Sequence, residues 1–478
     1  MKMRFVKSSN KLCNLFCPAA ALRVAGALAI LLALGRAPSA KAQAKAPAPS
    51  GPVTLEQAVN IALKYNQTIK AASAYADAAR HAIDVAKAGY LPNVNFSEGF
   101  MRGNNPVYVF GTLLTQRQFT AANFALPFLN VPPPIDNFRT QFSASMPLYD
   151  FGRTSRMVKG ARLRSQGTHD IADQTRQGVV FDVVNAYLNE LLAHQRVRVA
   201  RASVKMTQAD LARAQARVQQ GLAVESDVLS AQAQLAQAKE DLIQAENSVA
   251  IGQASLNVAM GVPEDTPTKT SGKLSEVQIP VGSITSLQGT ALKERPDYKA
   301  AEVQAEDAQN SVGLAKRQFL PRIDMMGSWE EDNQTFATRG GNNWVAGATL
   351  TFNIFNGGAQ RAQLAESRAY LLRADAMRSR MESVVRLQVR EAYLNLNAAR
   401  QRVEVSKDSA AQADESLRIL RNRYDAGLAT IMDVLRAETM RTSAENNHLN
   451  AIYDYRLAFA ALELATGELG PNSPAVTQ

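Results

Sequence analysis

Arg217-Val-Gln-Gln-Gly-Leu-Ala-Val-Glu-Ser-Asp-Val-Leu-Ser-Ala231 and Arg423-Tyr-Asp-Ala-Gly-Leu-Ala-Thr-Ile-Met-Asp-Val-Leu-Arg-Ala437 share eight of fifteen positions at a constant offset of 206 residues. Working outward at that offset, Ala186-Tyr-Leu-Asn189 recurs as Ala392-Tyr-Leu-Asn395, and Gly261 matches Gly467. Upstream the offset becomes 229, where Tyr90-Leu-Pro92 matches Phe319-Leu-Pro321. The first copy is therefore about 23 residues longer, and the excess lies in the Pro- and aromatic-rich stretch 104–137. A period near 200 is too long for a solenoid, so the chain reads as two structural halves. They span residues 54–261 and 286–467, with a linker at 262–285 and a tail at 468–478.

Around each quoted motif the pattern is helical. No proline interrupts 154–220 or 360–426, and about 67 residues at 1.5 Å rise make a helix of roughly 100 Å. Gly221 and Gly427 stand where a left-handed cap ends each helix. A shorter helix then returns to Gly261 or Gly467, giving hairpins over 154–260 and 360–466. The returning arm is too short, and adding the helix that ends before Pro92 nearly closes the gap. Thr54-Leu-Glu-Gln57 reads as a capping box opening the first half.

Between these helices the period changes to two. Phe138, Thr140, Phe142, Ala144, Met146 and Leu148 alternate with polar residues, and Trp344 to Ile354 alternates likewise. Weaker partners begin near Val94 and Ile323, giving strand pairs at about 93–148 and 322–355. Alternation over about ten residues is the signature of a membrane β-strand, and a half-buried soluble strand shows it too. Four strands cannot close a barrel alone, and an open sheet edge in hydrocarbon leaves backbone groups unpaired. If these strands span a membrane, several chains share one barrel.

Charge and leader narrow the function. Net charge is +10 over 478 residues, yet seven lysines and arginines and no acidic residue lie in 1–44, so the remainder carries +3. That argues against nucleic-acid binding. Residues 1–44 read as a secretory signal: a basic start, an apolar run Val24–Leu34, and Ala42-Gln43-Ala44 as a cleavage site. A flexible segment is expected at 45–53. Both cysteines, Cys13 and Cys17, fall in the leader, so the mature chain has no thiol chemistry. No catalytic constellation or cofactor motif is present. His81, His169, His194 and His448 are expected to lack the carboxylate or histidine at i+3 or i+4 that a metal motif needs, so neither metal nor enzyme activity is expected.

The duplicated strand pairs, long hairpins and tip motif together resemble the TolC-like outer-membrane factor family over nearly all of 54–467. The resemblance implies a trimer whose twelve-stranded barrel in the outer membrane continues into a long periplasmic α-helical barrel. It implies a passive exit channel for efflux or type I secretion. Its partners would be a periplasmic adaptor and an inner-membrane pump of the RND, ABC or MFS type. The competing reading is a periplasmic coiled-coil adaptor or structural protein.

The resemblance also marks candidate sites. Gly221, Leu222, Gly427 and Leu428 match adaptor-facing tips, or they only end helices. Asp227 and Asp433 are either an acidic gate or helix starts, and Tyr424 matches a tip tyrosine that packing would equally explain. Arg436 stands where a well-known member has a second aspartate; it would pair with Asp433 or reverse selectivity. Ala429 replaces a latching arginine. Phe138, Trp329 and Trp344 are candidates for an interfacial aromatic belt, with Tyr108 and Phe110 of the long loop for a lid; ordinary sheet packing is the alternative.

Overall fold

The computed structural model describes residues 51–276, 280–336, 338 and 340–477. The signal sequence and most of the segment expected to be flexible lie outside them. In chain order the elements are α1 (Leu55–Tyr65), α2 (Gln67–Lys87), β1 (Asn93–Gly103), α3 (Pro106–Thr115), α4 (Leu126–Asn130) and β2 (Ile135–Tyr149). Then come α5 (Arg153–Gln219), α6 (Glu225–Met260), α7 (Ile284–Glu294), α8 (Pro296–Arg317), β3 (Arg322–Asn333), β4 (Gly341–Thr351), α9 (Ala359–Asp425), α10 (Ile431–Thr466) and α11 (Pro474–Thr477). Contacts divide the described residues into a sheet unit, within 84–158 and 314–363, and a helical unit, within 51–83, 159–313 and 364–477.

In the sheet unit the strands lie in the order β1-β2-β3-β4, each antiparallel to the next. β1 and β4 are edges with one neighbour each. The β1–β2 and β3–β4 connections leave from the same end. β4 stops at Thr351, short of the expected Ile354, and Phe352, Ile354 and Phe355 are exposed beyond it. Alternation alone does not mark the end, because Asn353 and Asn356-Gly357-Gly358 already turn the chain toward α9, with Gly357 and Gly358 at φ +67° and +86°.

In the helical unit the capping box at Thr54 is present: Gln57 N–H donates to Thr54 Oγ1 (3.2 Å) and Thr54 N–H to Gln57 Oε1 (3.0 Å). Long helices form because Ala, Gln, Arg and Leu carry little helix cost and nothing interrupts them for 67 residues in both α5 and α9. α6 and α10, 36 residues each, are extended by α2 and α8 of 21 and 22. The junctions explain how. Gly261 sits at φ +76°, and a Cβ there would come 2.7 Å from the backbone of Asn66, the residue preceding α2. Gly467, at φ +81°, would meet the backbone of Arg295 at 2.8 Å. Asn66 Nδ2 donates to Ala259 O (2.9 Å), and Arg295 Nη1 to Ala465 O (3.2 Å), so the end of one helix is capped by the start of the next. The stacking expected from length arithmetic is this arrangement.

A core of Val59, Val180, Val183, Leu188, Leu256 and Leu396 holds the middle of the helical unit. Three boundaries differ from expectation. Val53, the last residue of the supposed flexible segment, is buried: its N–H donates to Lys269 O (2.8 Å), its C=O accepts from Ser271 N (2.9 Å), and it bridges Thr270. The linker ends early, because Ser283 caps α7 at Ile284. The tail is not loose: Leu469, Ala475 and Val476 join the core, and Ala475 N–H donates to Glu463. Single apolar residues pairing across sequence distance leave no local period, so sequence alone reads them as loop.

Candidate functional site

The two helical turns are built alike. In each, two backbone bonds close a Schellman motif: Leu222 N–H to Arg217 O (2.8 Å) with Gly221 N–H to Val218 O (2.9 Å), and Leu428 N–H to Arg423 O (2.7 Å) with Gly427 N–H to Tyr424 O (2.9 Å). Gly221 and Gly427 have φ +71° and +78°, and Leu222 and Leu428 are left exposed.

Beyond the turns the copies diverge. Thr430 caps α10 through a box in which Asp433 Oδ2 accepts from Thr430 N (2.9 Å) and Thr430 Oγ1 (2.7 Å). These hydrogen bonds hold the Asp433 carboxyl below the ordinary aspartate range. Arg436 is exposed and, among the described residues, forms no ion pair with Asp433, though its charge favours the carboxylate. In hairpin one Val224 stands in place of Thr430 and supplies no cap, and Asp227 lies in the first turn of α6.

Tyr424 is buried in a tip core with Leu417, Ile431, Val434 and Leu435, against which Ala429 packs. Arg217 lies over its ring at 4.7 Å and donates to its carbonyl (2.7 Å). Burial raises the phenol pKa, Arg217 opposes this, and Asp227 adds to it. A cation from the first half thus holds the second hairpin where Ala429 offers none.

Deeper in the hairpins lies a buried ion cluster. Asp210 of α5 and Glu438 of α10 are almost wholly buried, with Arg421 of α9 on both carboxylates, at 3.4 Å from Asp210. Arg213 also reaches Asp210 (2.9 Å). Burial pushes Glu438 up to about 8, its hydrogen bond to Asp210 and the neighbouring negative charge push the same way, and Arg421 opposes them. Burial and the neighbouring carboxylate thus favour the protonated form of Glu438. Sequence reading missed all three residues. The duplication contained a signal: at offset 206 they stand opposite Ser416, Gln232 and Gln215, so charge occurs in one copy only.

Three histidines correct the sequence reading, the first being His81, which has Asp84 three residues on. His169 has Asp173 four residues on, Nδ1 to Oδ2 at 3.2 Å, and His194 has Glu190 four residues back at 3.7 Å. Each is one carboxylate beside one imidazole, and among the described residues no group of three or more metal-ligating side chains occurs.

In the sheet unit, register sorts the residues into two faces. One row on the first face runs across all four strands as Phe96, Phe142, Trp329 and Trp344. Phe96 and Phe142 rings lie 5.1 Å apart, and Phe142 and Trp329 6.0 Å apart. Toward the strand ends at Thr351, this face continues apolar through Ala144, Gly327 and Ala346, then Met146, Met325 and Ala348. Toward the connections, the next row is Glu98, Thr140, Glu331 and Asn342. Phe138 lies one row beyond that, stacked on Phe100 at 4.7 Å. The opposite face carries Asn95, Ser97, Gln141, Ser143, Ser328 and Asn343. Phe96 and Phe142 join the aromatic row only through pairing register, which the sequence does not state.

Residues 58–262 and 287–468 match the family described as outer membrane efflux protein. The chain belongs to the outer membrane efflux protein family. The two matched blocks follow the two copies of the duplication. Protein CyaE of Bordetella pertussis is 26% identical over 467 residues, covering 95% of this chain and 94% of that one. Outer membrane protein TolC of Vibrio cholerae is 24% identical over 432 residues, covering 87% and 93%. Among solved structures, the CmeC outer membrane channel of Campylobacter jejuni aligns with TM-score 0.74 at 18% identity, over 88% of this chain and 87% of that one. An efflux-family member of this kind is an outer-membrane component of an efflux or secretion system, in a family of channel and transport proteins rather than enzymes. No helix among the described residues is long and apolar enough to cross a membrane.

Proposed function

We propose that three copies of the chain close their sheets into one twelve-stranded barrel, apolar face to lipid and polar face to the lumen, and act as a passive exit duct. The single observation behind this reading is the sheet itself. It is amphipathic, exposed on both faces in one chain, and ends in two unpaired edges. Edges of that kind are not tolerated in hydrocarbon, and pairing β1 of one copy with β4 of the next removes them all. Exposed Leu229, Ile243, Ile251 and Val258, spaced 14, 8 and 7 residues apart along α6 and so near one helical stripe, supply a second seam for a neighbouring copy.

In this reading the hairpins continue the duct as a helical barrel in the periplasm. Gly221-Leu222 and Gly427-Leu428 present the docking surface for a periplasmic adaptor, and an inner-membrane pump supplies energy and chooses cargo. Relatives are named for solvent efflux and for alkaline protease secretion, so one duct shape serves small molecules and polypeptides. Tyr424, Asp227, Asp433 and Arg436 lie at the narrowing end. Asp433 holds α10 as a cap while its exposed side and Arg436 set the local charge. The aromatic row through Trp329 and Trp344 sits at the outer lipid–water boundary, where the following row turns polar.

The detergent-corrected mass of the particle extracted from outer membranes tests this. Three chain masses support the shared barrel. A detergent-free monomer overturns it.

A further inference from the structure

The 23 residues that the first half has in excess fold into something the duct reading does not use. α3 lies across the polar face of the sheet, at the end from which the strand connections leave. At β1, Tyr108 packs on Gly103, whose Cβ would come within 3.3 Å of the ring, and its hydroxyl donates to Met101 O (3.1 Å). Over β2 and β3, Gln116 donates to Asn137 Oδ1 (2.9 Å) and to Asp136 O (2.9 Å). Asn137 in turn donates to Asp332 (2.6 Å), which also accepts from Arg139 (3.0 Å). At β4, Asn343 Nδ2 donates to Thr115 O (3.2 Å) and Arg117 donates to Asn342 O (2.7 Å). Gln116, Asn137 and Asp332 are at most 3% exposed. Gly341 is a requirement of this seat, because a Cβ there would lie 1.8 Å from Thr115 O.

Contacts at Gly103, Asn137, Asp332 and Asn343, one polar-face residue from each strand, place the helix on the wall that faces the lumen if the sheet closes with its apolar face to lipid, while Arg117 reaches round the β4 edge to Asn342 Oδ1 (3.0 Å). We infer that α3 is an inward-folded lid, one per chain, which narrows the outer mouth of the duct and limits the size of what passes. This rests on the barrel reading above. A helix with its side chains is about 10–12 Å across, so three of them occupy much of a twelve-stranded mouth. The β3–β4 connection of the second half is too short to do the same, so the restriction belongs to the first half alone.

The test uses the full chain in intact cells. Ser97→Cys places a thiol on the polar face, about 20 Å along β1 from Gly103. All natural cysteines lie in residues 1–44, so the background is clean. A small water-soluble thiol reagent and a maleimide on a polyethylene glycol chain are added from outside, in three backgrounds. These are the natural loop, residues 104–134 replaced by a four-residue Gly/Asn turn, and Gly341→Val, which unseats α3 while keeping the loop. The expected result is labelling by the small reagent in all three. The bulky reagent should react at least about ten-fold faster in either altered background, a barrier change of about 1.4 kcal/mol. Equal rates for the bulky reagent in all three overturn the lid and leave the duct standing. Failure of the small reagent to reach Ser97→Cys overturns the lumen-facing assignment, and the lid with it.

Discussion

Glu438 shows what a single side chain decides at the hairpin end. Its carboxyl is raised to about 8, first by burial and then by Asp210. The group is an acid with a folded pKa above its unfolded one, so the folded state keeps a proton that the unfolded state has lost. Stability is therefore fullest below the unfolded pKa, near 4.5, and is lost as pH rises through the folded value near 8. Hydrogen-exchange protection in α10 around Glu438, corrected for intrinsic rates, should fall between pH 5 and 9, and Glu438→Gln should flatten the profile. A profile equally steep in Glu438→Gln would place the proton elsewhere. Arg421→Ala removes the cation that lies on both carboxylates and should cost about 3–5 kcal/mol, read by denaturant melts. The duplication marked these three charges as present in one copy only, but a buried charge looks like a surface charge until its neighbours from two other helices are known. By contrast Gly221, Gly427 and Asp433 were legible, since the turn and cap chemistry is contained within a few consecutive residues.

At the scale of elements, the left-handed glycines that end α5, α6, α9 and α10 separate two costs. Gly221 and Gly427 have open space around their Cβ positions, apart from Arg217 at 3.9 Å from the second. Alanine there meets only the backbone penalty, about 1–2 kcal/mol. Gly261 and Gly467 add a collision with the backbone of the next helix, so Gly261→Ala and Gly467→Ala should each cost clearly more than the tip pair in the same melts. Equal costs in all four would mean the stacked junctions yield. The hairpin starts offer a change of opposite sign. Val224 has extended dihedrals and Asp227 stands at N3, so Val224→Thr completes the box that Thr430 already has. A gain of about 0.5–1 kcal/mol is expected. Helix lengths, strand pairs and these junctions were readable because duplication shows each feature twice. The α3 loop has no second copy, and its seat depends on contacts to four strands at once, so its stretch offered Tyr108 and Phe110 as lid candidates but neither the helix nor its seat.

For the whole molecule the deciding question is which face of the sheet meets lipid, since lumen, lid and closure all follow from it. Two neighbours in β4 ask it directly. Ala346 pairs with Gly327 on the apolar face, and Val345 pairs with Ser328 on the polar one. Arginine on a lipid-facing barrel position costs about 2–4 kcal/mol near the bilayer midplane. Three copies pay it together in a trimer, so the assembled barrel loses several-fold more than any chain does alone. Val345→Arg puts the same charge on the same strand, one residue away, into water. The expected outcome is that Ala346→Arg abolishes heat-resistant trimers in the outer-membrane fraction while Val345→Arg assembles near wild-type yield. Because both variants carry identical charge and nearly identical strand propensity, folding defects common to the strand cancel in the comparison. A reversed pattern would turn the sheet inside out, with the Asn- and Ser-rich face to lipid, and equal yields would take the sheet out of the membrane altogether.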